Sequence, residues 1–218
     1  MLKYILFDFD GTLVDSGKLV VDIYNELAKR YKYRSIRRQD IDGLRSLSIP
    51  DRAKALGVPL FRIPQFASYA KQRYESSVAK LQAIDGVKKA VRRLAEAEQR
   101  YRLAILSSNS EANIRTFLHN NGMTEFQHIY SERNLFGKHH TISRFLKKRK
   151  AIVRDAVYIG DEHRDIVACQ KLGLRIVAVT WGFDSKELLT QSRPDYIVDH
   201  PDELADLLAR IATASSFR

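Results

Sequence analysis

The residue types best suited to chemistry come early in the chain, where Asp8 and Asp10 follow an apolar run and precede Gly11 and Thr12. If the chain stays extended, both carboxylates point to the same side, roughly 6–7 Å apart. Two like charges that close, at the end of a buried strand, need a proton or a cation to compensate them. Mg²⁺ prefers oxygen ligands and would meet that need. The stretch therefore predicts a metal-assisted carboxylate site; the alternative is an acidic strand end that faces water.

The element that must position the two aspartates is the apolar run just before them, residues 3–7. An apolar run of this kind is typical of a parallel strand buried on both faces. From residue 84 onward, strand patterns alternate with helical ones, and polar residues follow two of the strands at Ser107, Asn109 and Asp161. We therefore predict an α/β fold, a Rossmann-like parallel sheet with helices on both faces. Ligands of such sheets bind beyond the carboxyl ends of the strands.

Residues 16–82, the cap segment, interrupt this alternation, because their apolar residues repeat with helical spacing and show no convincing strand pattern. We expect a small α-helical cap inserted after the first strand, with a catalytic core formed by residues 1–15 and 83–218. Asp15 and Ser16 are placed to cap the first helix of the cap segment.

The overall composition limits the possible partners. The 218 residues include 37 lysines and arginines against 26 aspartates and glutamates, a net charge of +11, but the basic residues are spread along the chain. This spread argues against a dedicated nucleic-acid surface and leaves small anionic substrates or a merely basic surface. No apolar run approaches the ~18 residues of a membrane span. A single cysteine, Cys169, excludes an internal disulfide, and we expect a cytoplasmic monomer or homodimer.

Residues 8–12, DFDGT, resemble the DxDGT signature of the haloacid-dehalogenase-like hydrolase superfamily. Counterparts of the three other family motifs follow in order, as Ser107 at a strand end, Lys138 before a helix, and the GDxxxD pattern of residues 160–165. The resemblance covers nearly the whole chain, including the cap segment. Gly182-Phe183 and the stretch 194–198 are similar to the phosphoglycolate-phosphatase-like branch.

The resemblance implies a catalytic role for four residues. Asp8 would be the nucleophile that forms an aspartyl-phosphate. Asp10 would protonate the leaving alcohol and then activate the hydrolytic water. Ser107, with the backbone amides after it, would hold phosphoryl oxygens, and Lys138 would supply positive charge to the phosphate and to Asp8.

The resemblance also implies a Mg²⁺ site formed by Asp8, Asp161 and the Asp10 carbonyl, with Asp165 as a further ligand or one acting through water. Glu162 is a weaker metal candidate. The residues expected to contact substrate are Phe9 (through its amide), Gly11, Thr12, Gly43, Arg45, Ser108 and Asn109.

Several of these assignments have alternatives. Ser108 competes with Ser107 for the phosphate, and Asn109 either orients the phosphate loop or caps a helix. Arg45 either binds a second anionic group of the substrate or is a solvated loop arginine, and Arg52 is a weaker candidate for the same role.

The expected function is that of a Mg²⁺-dependent phosphatase acting on a small phosphorylated metabolite, phosphoglycolate-like or a sugar phosphate. A sugar-phosphate mutase uses the same residues and remains an alternative. A haloacid dehalogenase needs neither a second aspartate nor a metal, so Asp10 together with Asp161 argues against it. The four motifs also argue against a non-catalytic nucleic-acid-binding protein.

Overall fold

A parallel β-sheet forms the centre of the molecule in the computed structural model, which describes residues 2–97, 101–131 and 137–214. The strands lie in the order β3-β2-β1-β4-β5-β6, and every pair is parallel. Their bounds are β1 Tyr4–Phe7, β2 Arg102–Ser107, β3 Phe126–Ser131, β4 Ala156–Gly160, β5 Arg175–Val179 and β6 Tyr196–Val198. The predicted α/β fold with a Rossmann-like sheet is confirmed.

The register of the three central strands determines where the site forms. Phe7, the last residue of β1, pairs with Ile105 of β2 and with Ile159 of β4. Asp8 therefore leaves the sheet beside the ends of both neighbouring strands, because parallel strands end at the same edge. Ser107, the last residue of β2, and Asp161, directly after β4, consequently flank it.

Helices cover both faces of the sheet. Alternate residues of a strand point to opposite faces, so Ile5 and Phe7 join one buried apolar cluster while Tyr4 and Leu6 join another. The helices that pack there are α5 Val87–Ala95, α6 Glu111–Asn121, α7 Lys138–Arg149, α8 His163–Gln170, α9 Lys186–Gln191 and α10 Glu203–Ala214. Across the described ranges, no helix has both the length and the apolar character that a membrane crossing requires.

The cap segment is helical, as the sequence predicts. Its helices are α1 Gly17–Tyr31, α2 Ile41–Arg45, α3 Ile49–Ala55 and α4 Ile63–Glu75. Its two ends meet, because Val14 and Ala83 form an antiparallel bridge. Helical spacing of apolar residues continues to Leu81 in the sequence and predicts one long helix, but α4 ends at Glu75 and one turn of 3-10 helix, Val78–Lys80, follows.

Candidate active site

Asp8 is buried directly after β1, with 2% of its surface exposed. Its backbone amide donates to the carbonyl of Ile159 at 2.8 Å, which extends the pairing of β1 with β4 by one residue. The amide of Phe9 donates to Oδ1 of Asp8 at 2.8 Å, and Lys138 Nζ donates to Oδ2 at 2.5 Å. Both oxygens of Asp8 therefore accept a hydrogen bond.

Lys138 is the first residue of α7 and is also buried. Its ammonium lies 2.5 Å from a carboxylate oxygen of Asp8 and 2.5 Å from one of Asp165. Burial opposes the charge, but the two carboxylates outweigh it and raise the pKa of Lys138. The side chain is consequently a fixed positive charge beside Asp8.

Asp10 is held by donors from three separate parts of the chain. Ser16 Oγ and the Tyr74 hydroxyl donate to Oδ1 at 2.8 and 2.7 Å, and Asn109 Nδ2 donates to Oδ2 at 3.0 Å. Burial raises the pKa of Asp10 in spite of these donors. A carboxyl group with a raised pKa is suited to carrying a proton, whereas Asp8 two residues earlier is held by an ammonium.

Three buried carboxylates form a group that fits a divalent cation. Asp8, Glu162 and Asp165 each offer a ligand atom, and these atoms lie within 4.8 Å of one another. Burial raises the pKa of Asp165 to about 7, against the opposing effect of Lys138. Arg164 Nε donates to Glu162 at 2.7 Å. Oxygen ligands at such spacing suit a hard cation.

Asp161 lies beside this group and is oriented by two loops. Thr12 Oγ1 donates to its Oδ1 at 2.6 Å, and the amide of Phe183 donates to its Oδ2 at 2.7 Å. A Cβ on Gly11 or on Gly182 would lie 2.2 or 2.1 Å from Oδ2, so both positions need glycine. Burial, followed by the charges of nearby carboxylates, raises the pKa of Asp161.

The end of β2 and the loop after it bring Ser107 and Asn109 to the site. The Ser107 hydroxyl is buried and accepts from the amide of Asn109 at 3.1 Å. Asn109 donates to Asp10 and accepts from the Ser110 amide at 2.8 Å, while Ser110 rather than Asn109 caps α6. Ser108 is only half-buried. Asn109 is thus a partner of the second aspartate.

The predicted substrate contacts of the cap segment have other partners within the described residues. The Arg45 guanidinium donates to the carbonyls of Thr180 and Gly182 at 3.2 and 2.9 Å, and a third contact reaches the Asp184 carbonyl at 3.5 Å. Arg52 forms an ion pair with the buried carboxylate of Asp184. Both arginines therefore connect the cap segment to the loop after β5. Gly43 lies within α2, and a Cβ there would meet nothing within 4 Å.

Sequence reasoning missed the two cap-segment donors to Asp10. Ser16 stands at the N-cap position of α1, but its side chain makes no capping hydrogen bond and donates to Asp10 instead, so the expected capping role was wrong. Tyr74 belongs to the apolar repeat of α4 and looks like a packing residue in the sequence. Its ring is indeed in the apolar cluster, but its hydroxyl reaches the carboxylate. Spacing alone gives no signal for that contact.

Comparison with known proteins places this geometry in a family. Residues 5–179 match the haloacid dehalogenase-like hydrolase family. The chain is 30% identical over 211 residues to a phosphoglycolate phosphatase of Synechococcus elongatus, covering 96% of this chain and 99% of that protein. It is 22% identical over 214 residues to the pyrophosphatase PpaX of Bacillus mycoides, covering 96% and 98%.

A solved structure is similar as well. A haloacid dehalogenase-like family hydrolase of Streptococcus pneumoniae superposes with a TM-score of 0.79 at 22% identity, covering 95% of this chain and 98% of that one. The chain therefore belongs to the haloacid dehalogenase-like hydrolase family, as the sequence motifs predict, and is a phosphatase of its phosphoglycolate-phosphatase-like branch.

Proposed function

We propose that the chain is a Mg²⁺-dependent phosphatase that hydrolyses a small phosphorylated metabolite through an aspartyl-phosphate on Asp8. The observation that carries the proposal is that Asp8 and Asp10, only two residues apart, have hydrogen-bond partners of different kinds. Asp8 is paired with the ammonium of Lys138, and Asp10 is held by three neutral donors and has a raised pKa. One carboxylate is thereby prepared to attack, and the other to carry a proton.

In the first step the carboxylate of Asp8 attacks phosphorus, and the bond from phosphorus to the leaving oxygen breaks. Asp10 gives its proton to that oxygen, so the product leaves as an alcohol. Lys138 stabilises the charge on the phosphoryl oxygens, and Ser107 with the amides of its loop binds them.

In the second step the ionised carboxylate of Asp10 takes a proton from water, and the resulting hydroxide attacks the phosphorus of the aspartyl-phosphate. The bond between Asp8 and phosphorus breaks, which regenerates the Asp8 carboxylate and releases inorganic phosphate. Asp10 is protonated again and ready for the next substrate.

We propose Asp8, Asp161, Asp165 and the Asp10 carbonyl as the ligands of the cation. Glu162, whose carboxylate lies with those of Asp8 and Asp165, would be a further ligand. Asp161 keeps lone pairs free, because each of its oxygens accepts from one donor in the hydrogen bonds described above. When bound, the cation neutralises charge between the carboxylates and the phosphoryl group.

The charge of the cap segment supports the proposed substrate class. The cap segment contains 14 lysines and arginines against 6 aspartates and glutamates, which is +8 of the total of +11. A surface of this sign attracts phosphorylated acids and sugar phosphates. We propose that residues 16–82 act as the cap domain over a core of 1–15 and 83–218, and that the protein is cytoplasmic, where its free, buried Cys169 stays reduced.

The test is a screen of the purified protein with Mg²⁺ against phosphoglycolate, sugar phosphates, pyrophosphate and p-nitrophenyl phosphate. Release of inorganic phosphate that stops with EDTA and returns with Mg²⁺ is expected. Transfer of the phosphoryl group within a sugar, without net phosphate release, would establish a mutase instead. No turnover of any compound would refute the proposal.

A further inference from the structure

We propose that Tyr74 is a positioning residue for the general acid, and that its hydrogen bond to Oδ1 holds the Asp10 carboxyl so that Oδ2 stays available for proton transfer. The inference rests on the proposed function, because it concerns the proton that Asp10 gives to the leaving group. Tyr74 comes from the last turn of α4, so a helix of the cap segment contributes directly to the chemistry of the core.

The division of donors between the two oxygens of Asp10 supports this. Oδ1 accepts from the hydroxyls of Ser16 and Tyr74, at 2.8 and 2.7 Å. Among the residues that the structure describes, Asn109 is the one donor to Oδ2, at 3.0 Å. A carboxylate oxygen has two in-plane lone pairs, so both of those on Oδ1 are occupied while one on Oδ2 stays open. Oδ2, the oxygen with an open lone pair, is therefore the one available for proton transfer.

The surroundings of Tyr74 make this contact rigid. The side chain is 6% exposed and belongs to the apolar cluster on one face of the sheet, together with Phe9 and Val14. The ring is thus fixed by the core although the residue belongs to the cap segment. Its hydroxyl holds the Asp10 carboxyl in one orientation, and the general acid depends on orientation as well as on proton affinity.

Tyr69 offers a matched control within the same helix. Its hydroxyl donates at 3.0 Å to Glu26, whose side chain is exposed. Tyr69→Phe and Tyr74→Phe each remove one hydroxyl oxygen from α4. Only the change at Tyr74 removes a hydrogen bond to Asp10. A difference between the two variants therefore reports the contact with Asp10 and not the loss of a tyrosine hydroxyl from α4.

The experiment compares Tyr74→Phe, Tyr69→Phe and the wild type on two esters. One is the alkyl phosphate with the highest turnover in the screen, whose leaving alkoxide needs a proton. The other is 2,4-dinitrophenyl phosphate, whose phenolate leaves without one. Values of kcat/KM are used because they report the phosphoryl-transfer step. Both esters are assayed on one preparation, so any unfolded fraction cancels in the ratio.

Tyr74→Phe is expected to lower kcat/KM for the alkyl ester by about 10-fold or more, as misplacement of a general acid does, and to change the aryl ester by less than about 2-fold. Tyr69→Phe should leave the ratio unchanged. An equal loss on both esters, or no loss, would overturn the inference while leaving the proposed function intact. A wild type that cleaves only the aryl ester would also overturn it, since no general acid would then act. A wild type that cleaves neither ester would refute the proposed function together with the inference.

Discussion

The core and the cap segment differ in the size of their apolar clusters and in their net charge. The core has large apolar clusters on both faces of its sheet, and its charges nearly cancel, with 23 basic and 20 acidic residues. Among the described residues, the cap segment's own cluster contains just Ala53, Leu56 and Val58 as buried members, and Phe61 is 76% exposed. The core therefore fixes the reacting groups, while the cap segment meets it both through Tyr74 and Val78 in the apolar cluster and through polar contacts such as those of Arg45 and Arg52.

This difference predicts which substitutions abolish catalysis and which ones change it only in part. The ammonium of Lys138 sits between two buried carboxylates, so any change there alters a group shielded from water. The junction of Arg45 and Arg52 with the loop after β5 consists of hydrogen bonds and one ion pair, and the arginine of that pair is more exposed than Lys138. Substitutions in the core site should consequently abolish turnover, and substitutions at the junction should have smaller effects on it.

The largest effect is expected from Asp8→Asn. The amide keeps the size of the side chain but is a poor nucleophile, so kcat should fall by roughly 10³-fold or more. Hydrolysis of p-nitrophenyl phosphate measures this, and the variant should still show a cooperative thermal unfolding transition. Asp15→Asn, at an exposed position seven residues later, is the control. Substantial residual turnover by Asp8→Asn would exclude Asp8 as the nucleophile.

Lys138→Met should affect both activity and stability. Loss of the charge should lower kcat/KM by about 10²–10³-fold. Two buried carboxylates also lose their cation, so the free energy of unfolding measured in EDTA should fall by about 3 kcal/mol. Lys147→Met on the exposed side of the same helix should change neither quantity. Equal stability of the two variants would show that the core pairing contributes little.

The buried carboxyl of Asp165 should make the metal-free protein less stable as the pH rises. Burial raises the pKa of Asp165 to about 7 in the folded chain, against about 3.9 for an unfolded aspartate. A raised folded pKa gives stability that is present below the unfolded value and is lost as the pH rises through the folded one.

In EDTA, the melting temperature should therefore be about 2–4 °C higher at pH 6 than at pH 8. Saturating Mg²⁺ at pH 8 should restore it, and Asp165→Asn should reduce the dependence. A melting temperature that rises from pH 6 to pH 8 in EDTA would contradict the account of this group.

The junction should show the smallest effect. Arg52→Ala leaves the buried carboxylate of Asp184 without its ion pair, and burial has already raised the pKa of Asp184. We expect a loss of about 1–3 kcal/mol of stability and an increase of a few-fold in KM, with kcat nearly unchanged. Arg37→Ala, which removes an exposed partner of Asp40, serves as control. Identical behaviour of the two variants would mean that the junction does not influence substrate binding.

The same comparison explains which site residues could be predicted from the sequence alone. Residues of the core site follow strand ends, and parallel strands bring their ends together, so Asp8, Ser107 and Asp161 could be expected at one edge of the sheet. Their motif spacing supplied the proposed roles. Side chains from the cap segment have no such constraint, because helix spacing shows which face is apolar but not what a polar tip touches.

Three residues illustrate the limit. The Tyr74 hydroxyl and the Ser16 side chain reach Asp10 through tertiary packing that neither helical periodicity nor capping preference reveals. Arg45 carries a charge that suits a substrate anion, yet its guanidinium reaches the carbonyls of the loop after β5, whose position depends on the whole fold. Charge and position along the chain suggest partners, but only the packed structure selects among them.

The most direct test of the central claim is to identify the covalent intermediate. In an Asp10→Asn variant the hydrolytic water lacks its base, so the phosphoryl group should accumulate on the protein after incubation with 2,4-dinitrophenyl phosphate and Mg²⁺. Mass spectrometry of the acid-quenched, digested protein then locates it. The account predicts phosphorylation of the peptide that contains Asp8, and none when Asp8→Asn is added. Release of one equivalent of dinitrophenol with no phosphoryl group on Asp8, or with the group on another residue, would contradict it.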